Sequence, residues 1–234
     1  MSNGQSVLTS KICSLLCELG PSTYDEITPK IEFWIEYALG EQFTTVGGLL
    51  DQVHSRIQLG SHSYISRFLG EFRNAHHSSE QAKDFVDGLC LHAIRWFAVA
   101  SSEDLSPSWS GNYSSTGGFG FLRAASFVGH LIERGLIDHK LVRRHIFKPL
   151  TTHYYNPNDL KKQTIRAYAI YKLFTAAGNT LLQGLLEPED VQDCFKMLDT
   201  QVSLGKIDGM RDLDSKKLSV RQTRTSATVF GVKS

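Results

Sequence analysis

The chain has 234 residues, of which 41% are hydrophobic, with 25 Lys and Arg against 24 Asp and Glu. This length suits one sizeable domain, or one domain plus a tail, and a balance so close to neutral argues against a body whose whole surface grips nucleic acid. No apolar run approaches the roughly 18–20 residues of a membrane span, and the start MSNGQSVLTSK has no basic and apolar leader pattern, so a cytoplasmic or, alternatively, nuclear protein is expected.

Gln5–Leu19 carries Val7, Ile12, Leu15, Leu16 and Leu19 at helical spacing, and Gly20-Pro21 is expected to close that helix with a glycine cap. Ser22 or Thr23 is placed to start the next helix, with Glu26 offering a capping box to Thr23. That helix runs through Ile27, Ile31, Trp34, Ile35 and Leu39, with Pro29 expected near its first turn. A third helix is read over Phe43–Leu59 and a fourth over Ser63–Asn74. Ser79 then caps a long helix through Phe85, Leu89, Ile94 and Phe97. Its apolar residues lie on most sides, which predicts a place at the centre of a stack.

Residues 101–118, SSEDLSPSWSGNYSSTGG, form a Ser- and Gly-rich flexible insertion loop. After it, Phe121, Ala125, Val128 and Ile132 recur at three and four, widened by Ala124, Phe127 and Leu131. Gly135 suits a left-handed helix end, and Asp138 suits an N-cap. A second apolar stripe comes next at Leu141, Val142, His145 and Ile146, so Phe119–Leu150 is expected to fold as an antiparallel hairpin. A further helix begins near Asn156-Pro157 and reaches Ala177-Gly178. The last clear one carries Val191, Cys194, Phe195, Leu198 and Val202. Residues 204–234 read as a basic, disordered tail, since seven Lys and Arg stand against three Asp from Ser203 onward. About nine or ten helices pairing at a period near forty residues predict an all-α, HEAT-like stack of antiparallel hairpins, a right-handed α-solenoid.

Candidate chemistry is sparse. Gly117-Gly118-Phe119-Gly120 lacks the Lys and Ser/Thr of a phosphate loop. His76, His77 and Glu80 are the best metal candidates, with no third and fourth ligand in sight. The four cysteines form no Cys-x-x-Cys pair and read as reduced, buried thiols. His92, His130 and His145 lie on apolar helices and read as hydrogen-bonded core or groove histidines. No catalytic, cofactor-binding or metal set is therefore assigned, and no enzyme is expected. The basic residues say more. Lys140, Arg144 and Lys148 are spaced as one exposed helical stripe, with Arg143 beside them, and Lys161, Lys162 and Arg166 start the next outward run. They could form one edge for an acidic partner surface or for RNA phosphates.

Two stretches carry a resemblance. Phe127-Val128-Gly129-His130-Leu131-Ile132 followed by Gly135-Leu136-Ile137 resembles the central hairpin of the middle domain of eukaryotic translation initiation factor 4 gamma. Leu15-Leu16-Cys17-Glu18-Leu19-Gly20-Pro21, continuing to Tyr24-Asp25-Glu26-Ile27, is similar to that family's first hairpin. The likeness covers about Ser6–Ser203, so residues 1–203 are taken as the helical-repeat domain. It implies a HEAT-repeat scaffold that binds a DEAD-box RNA helicase of the initiation factor 4A type, and RNA, in translation or mRNA metabolism. It also implies that Gly129 permits a close helix–helix approach. Other readings are a homodimerising or protein-interaction module without helicase binding, and a repeat that binds RNA directly.

Overall fold

A computed structural model describes residues 3–40, 61–102, 118–147 and 160–181, together with Gln192 and Cys194. Among the described residues the regular structure is entirely helical. It consists of α1 (Asn3–Glu18), α2 (Tyr24–Gly40), α3 (His62–Ala75), α4 (Glu80–Ser102), α5 (Gly118–Glu133), α6 (His139–Val142) and α7 (Leu160–Ala177). A π-helical turn, Arg143–Phe147, continues α6, and a 3-10 turn, Gly178–Leu181, comes after α7. No described helix is long and apolar enough to cross a membrane. The expected helix over Phe43–Leu59, the body of the 101–118 loop, most of the last helix and the 204–234 tail lie outside the described residues.

The apolar spacing read from the chain becomes buried faces. Ile12 and Leu16 of α1 meet Ile27, Ile31 and Ile35 of α2 in one hydrophobic core. Six phenylalanines, Phe68, Phe72, Phe97, Phe121, Phe127 and Phe147, are fully buried. Each removes surface worth about 1.5–3 kcal/mol from water. α5 buries every residue of its predicted stripe, from Phe121 to Ile132. It packs against α3 and α4 and makes its widest contact with α7. The centre of the described helices is therefore α5 rather than α4, because α4 turns Leu91 outward at 45% exposure.

The link after α5 obeys the expected capping chemistry. Gly135 has φ +66°. Its amide donates to Ile132 and that of Leu136 to Leu131, both at 2.9 Å, the paired bonds that close a helix on a left-handed residue. Asp138 caps α6, its carboxylate accepting the Lys140 amide at 2.7 Å. The second arm of the hairpin departs from the expectation. It is α-helical only over His139–Val142 and passes into the π turn. That turn leans on α4, while α5 takes α7 as its main antagonist. Spacing shows which face of a helix is greasy and not which neighbour covers it.

Local expectations near the start were corrected too. Gly20 does not take positive φ. Thr23 instead donates its hydroxyl to the Glu18 carbonyl at 2.6 Å, tying off α1. The Thr23–Glu26 capping box is replaced by this bond and by the Glu26–Lys30 pair at 2.6 Å. Pro29 lies inside α2 rather than in its first turn, so the Asp25 carbonyl has no amide four residues on. Ser79 caps α4 as expected, accepting the Ala82 amide at 3.3 Å.

Candidate functional site

Of the basic residues singled out, Lys140, Arg143 and Arg144 are exposed and stand together on α6 and the π turn. The chain passes from α-helical to π-helical between Lys140 and Arg144. Arg166 is half-buried with its Nε shielded from solvent, so it does not join an open cationic face. Lys148 and the side chains of Lys161 and Lys162 lie outside the described residues. The π turn meets α7 through Phe147 and Phe174, whose rings pack edge to face at 5.9 Å. Phe174 lies about 18 Å along an α-helix from Lys162. This contact alone does not gather the two basic groups into one cluster.

A groove of about 340 Å³ lies between α4 and the turn after α5. α4 contributes Asp87, Cys90, Leu91 and Ile94. The turn Gly135–Asp138, Leu141 and Arg73 complete the lining. Arg73 Nη2 lies 3.5 Å from Asp87 Oδ1. The Cys90 thiol is pushed up to about 12 by burial and then by Asp87, so it stays protonated and unreactive at neutral pH. These groups can seat an apolar side chain. They supply no activated nucleophile.

A second polar cluster joins α2 to α3. Tyr24 donates its phenol proton to Glu71 Oε2 at 2.6 Å, and Arg67 Nε donates to Oε1 at 2.8 Å. The Arg67 guanidinium also stacks 4.1 Å from the Tyr24 ring centroid. Burial alone would raise the Glu71 carboxyl. The donated bonds from Tyr24 and Arg67, with the charges of Arg67 and Arg134, outweigh it and hold Glu71 below its ordinary value. Tyr24 is raised, first by burial and then by its bond to Glu71. The cluster ties α2 to α3.

His62, which spacing did not single out, opens α3 and is 1% exposed. Its ring centroid lies 5.4 Å from that of Phe127, and its Nδ1 makes no hydrogen bond. Burial, and after it the neighbouring His130 and Arg123, push it down to about 3. It is a neutral core ring near neutral pH. Its one sequence signal is its place at the start of the Tyr64–Ile65–Phe68 stripe. His130 lies 3.3 Å from Glu133, in keeping with a hydrogen-bonded histidine. His76 and His77 look different ways. His76 packs on Phe72 at 4.5 Å and reaches Glu36 at 3.5 Å, whereas His77 Nδ1 pairs with the Asn74 carbonyl at 3.1 Å.

The outer face of the first hairpin is aromatic. Phe33 and Tyr37 are 59% and 49% exposed, and Val7 of α1 is 69% exposed. Trp34 holds the group together, 5.2 Å from Phe33 and 5.9 Å from Tyr37. Lys11 Nζ caps its ring at 4.1 Å. Comparison of the chain with protein-family models, with curated proteins and with solved structures gives no match.

Proposed function

We propose that this chain is a non-enzymatic scaffold of the initiation factor 4 gamma middle-domain type, a HEAT-like right-handed stack of helix hairpins. It holds a DEAD-box RNA helicase of the initiation factor 4A type, together with RNA, in cytoplasmic translation or mRNA metabolism. The observation that carries this reading is the packing of Gly129. The glycine at the centre of the family-like stretch faces α7 at a distance that no side chain permits, with Leu173 O 2.7 Å from where its Cβ would stand. Contacts also join successive described helices, α1 with α2, α2 with α3, α3 with α4 and α4 with α5, and repeats cover one another's apolar faces in this way. The scaffold offers the helicase an edge of Lys140, Arg143, Arg144, Lys148, Lys161 and Lys162, without the half-buried Arg166. By binding the arrangement of the two helicase lobes that is competent to close, it raises that arrangement's population.

The exposed Phe33–Tyr37 face favours a second reading, self-association or protein contact through the first hairpin without a helicase. Affinity capture with the full chain, with and without nuclease, separates the readings. Helicase retained after nuclease treatment supports the first. Capture lost with nuclease indicates RNA tethering. A dimer by light scattering that Phe33→Glu dissolves, with no helicase captured, indicates the second.

A further inference from the structure

We propose that the groove between α4 and the Gly135–Asp138 turn receives one basic side chain, an arginine, from a protein partner. The proposal goes beyond the helicase reading and does not depend on it.

The groove has the size and the lining for such a side chain. Its volume of about 340 Å³ lies at the lower end of pocket sizes for small ligands, roughly 300–1,000 Å³. Leu91 is 45% exposed, and with Ile94 and half-buried Leu141 it offers apolar surface to a methylene stem. Long basic side chains bury their stems in this way while the charged head keeps a polar setting. The polar part of the lining is short of free donors. The Gly135 and Leu136 amides are spent on the Ile132 and Leu131 carbonyls, and the Lys140 amide on Asp138. The Arg73 guanidinium lies 3.5 Å from Asp87. A bound anion needs N–H donors, and these are committed elsewhere; a guanidinium brings its own.

The charges select the sign of the ligand. Among the described residues the charged lining is Asp87 and Asp138 against Arg73, so one negative charge is left over. Asp87 is half-buried and Asp138 exposed, and a carboxylate that accepts an amide bond keeps its charge. The interior of the groove feels the same sign. Cys90 lines it as a free thiol at 4% exposure. After burial, Asp87 raises that thiol more than Arg73 lowers it. The neighbouring cations do not reverse this balance, since Lys140 and Arg144 do not line the groove and Arg134 stands near Glu71. Arginine suits the site better than lysine, because its planar fork pairs with carboxylates through two bonds at once.

The test uses the full chain and short labelled Ser- and Ala-based peptides that differ at one central position. That position is Arg, Lys, Glu or citrulline, the uncharged isostere of Arg, and spermidine serves as a small-molecule probe. Fluorescence anisotropy should rank Arg above Lys, and both above citrulline and Glu. The whole chain carries a formal charge of only +1, so its overall charge does not favour a cation. Asp87→Asn combined with Asp138→Asn should weaken the Arg peptide at least tenfold. Asparagine caps a helix about as well as aspartate, so circular dichroism of this variant should match the parent chain. Leu91→Arg, at an exposed position, leaves both acids in place and should also weaken the Arg peptide by adding a cation to the groove. The proposal is overturned if the Arg peptide does not bind, if citrulline or Glu binds as well, or if either variant leaves binding unchanged. Tighter binding of spermidine than of the Arg peptide overturns the assignment to a protein partner. Failure here leaves the helicase reading standing, and failed helicase capture leaves the groove standing.

Discussion

Gly129 and Leu173 bring the backbones of α5 and α7 together. A methyl group on Gly129 would stand 2.7 Å from the Leu173 carbonyl oxygen and 2.7 Å from the Ala176 Cβ. Gly70, in the middle of α3, has nothing within 4 Å of the same position. The two glycines therefore predict opposite responses to alanine. Gly70→Ala should stabilise by about 0.5–1 kcal/mol, because alanine loses less backbone freedom in a helix. Gly129→Ala gains that same propensity and loses more, since overpacking a tight contact costs about 1–3 kcal/mol. Urea denaturation of the two variants should move the midpoint up for the first and down for the second.

Two tyrosines offer a similar contrast. Tyr24 donates to Glu71 across the α2–α3 junction at 2.6 Å, whereas the buried Tyr171 hydroxyl has no hydrogen-bond partner. Tyr24→Phe should cost about 1.5–3 kcal/mol, the range for a hydrogen bond to a charged group. Tyr171→Phe should be neutral or stabilising by up to about 1 kcal/mol, since it removes an unsatisfied buried oxygen. Equal midpoint shifts for the two would contradict these geometries.

His62 sets a pH dependence of known sign. Its folded value, pushed down to about 3, lies below the roughly 6.5 of an exposed histidine. Between those values the unfolded chain binds more protons than the folded one. Its contribution is therefore complete above pH 6.5 and is lost as pH falls toward 3, by up to about 1.4 kcal/mol per pH unit. Glu71, held below its ordinary value, is also lost on acidification, but only through and below the usual carboxylate range near 4.5. From about pH 6.5 to 5, then, denaturation midpoints of the parent chain should fall. His62→Phe, which keeps a ring against Phe127, should flatten that slope.

The thiols should differ in reactivity. Cys90 is buried and raised to about 12, while Cys17 is half-buried on α1. Mass spectrometry after brief iodoacetamide treatment at about pH 8, near the ordinary thiol value, should find Cys17 alkylated well before Cys90. Rapid labelling of Cys90 in the folded chain would contradict the closed packing around it.

Periodicity made the greasy faces legible, and capping chemistry made several ends legible. The stripe from Phe121 to Ile132, the left-handed Gly135 and the Asp138 and Ser79 caps can all be read along the chain, because each depends on residues a few positions apart. The partner of α5 could not be read, since any apolar face of matching length satisfies the pattern. The π turn at Arg143–Phe147 had no local signal. The Tyr24–Glu71 bond joins residues 47 positions apart. The groove at Leu91 needs α4 and the Gly135–Asp138 turn to be brought together. Both are products of tertiary packing, invisible to spacing.

The central proposal is that this chain holds a helicase through the basic residues of α6, the π turn and the start of α7. The most direct measurement is the affinity of the full chain for a purified DEAD-box helicase of the initiation factor 4A type, free of RNA, by isothermal titration calorimetry. The same titration is repeated with Arg144→Glu and Lys162→Glu combined. The account predicts measurable binding by the parent chain and at least a tenfold loss in the double variant. No binding by the parent, or equal affinity for both, would contradict it.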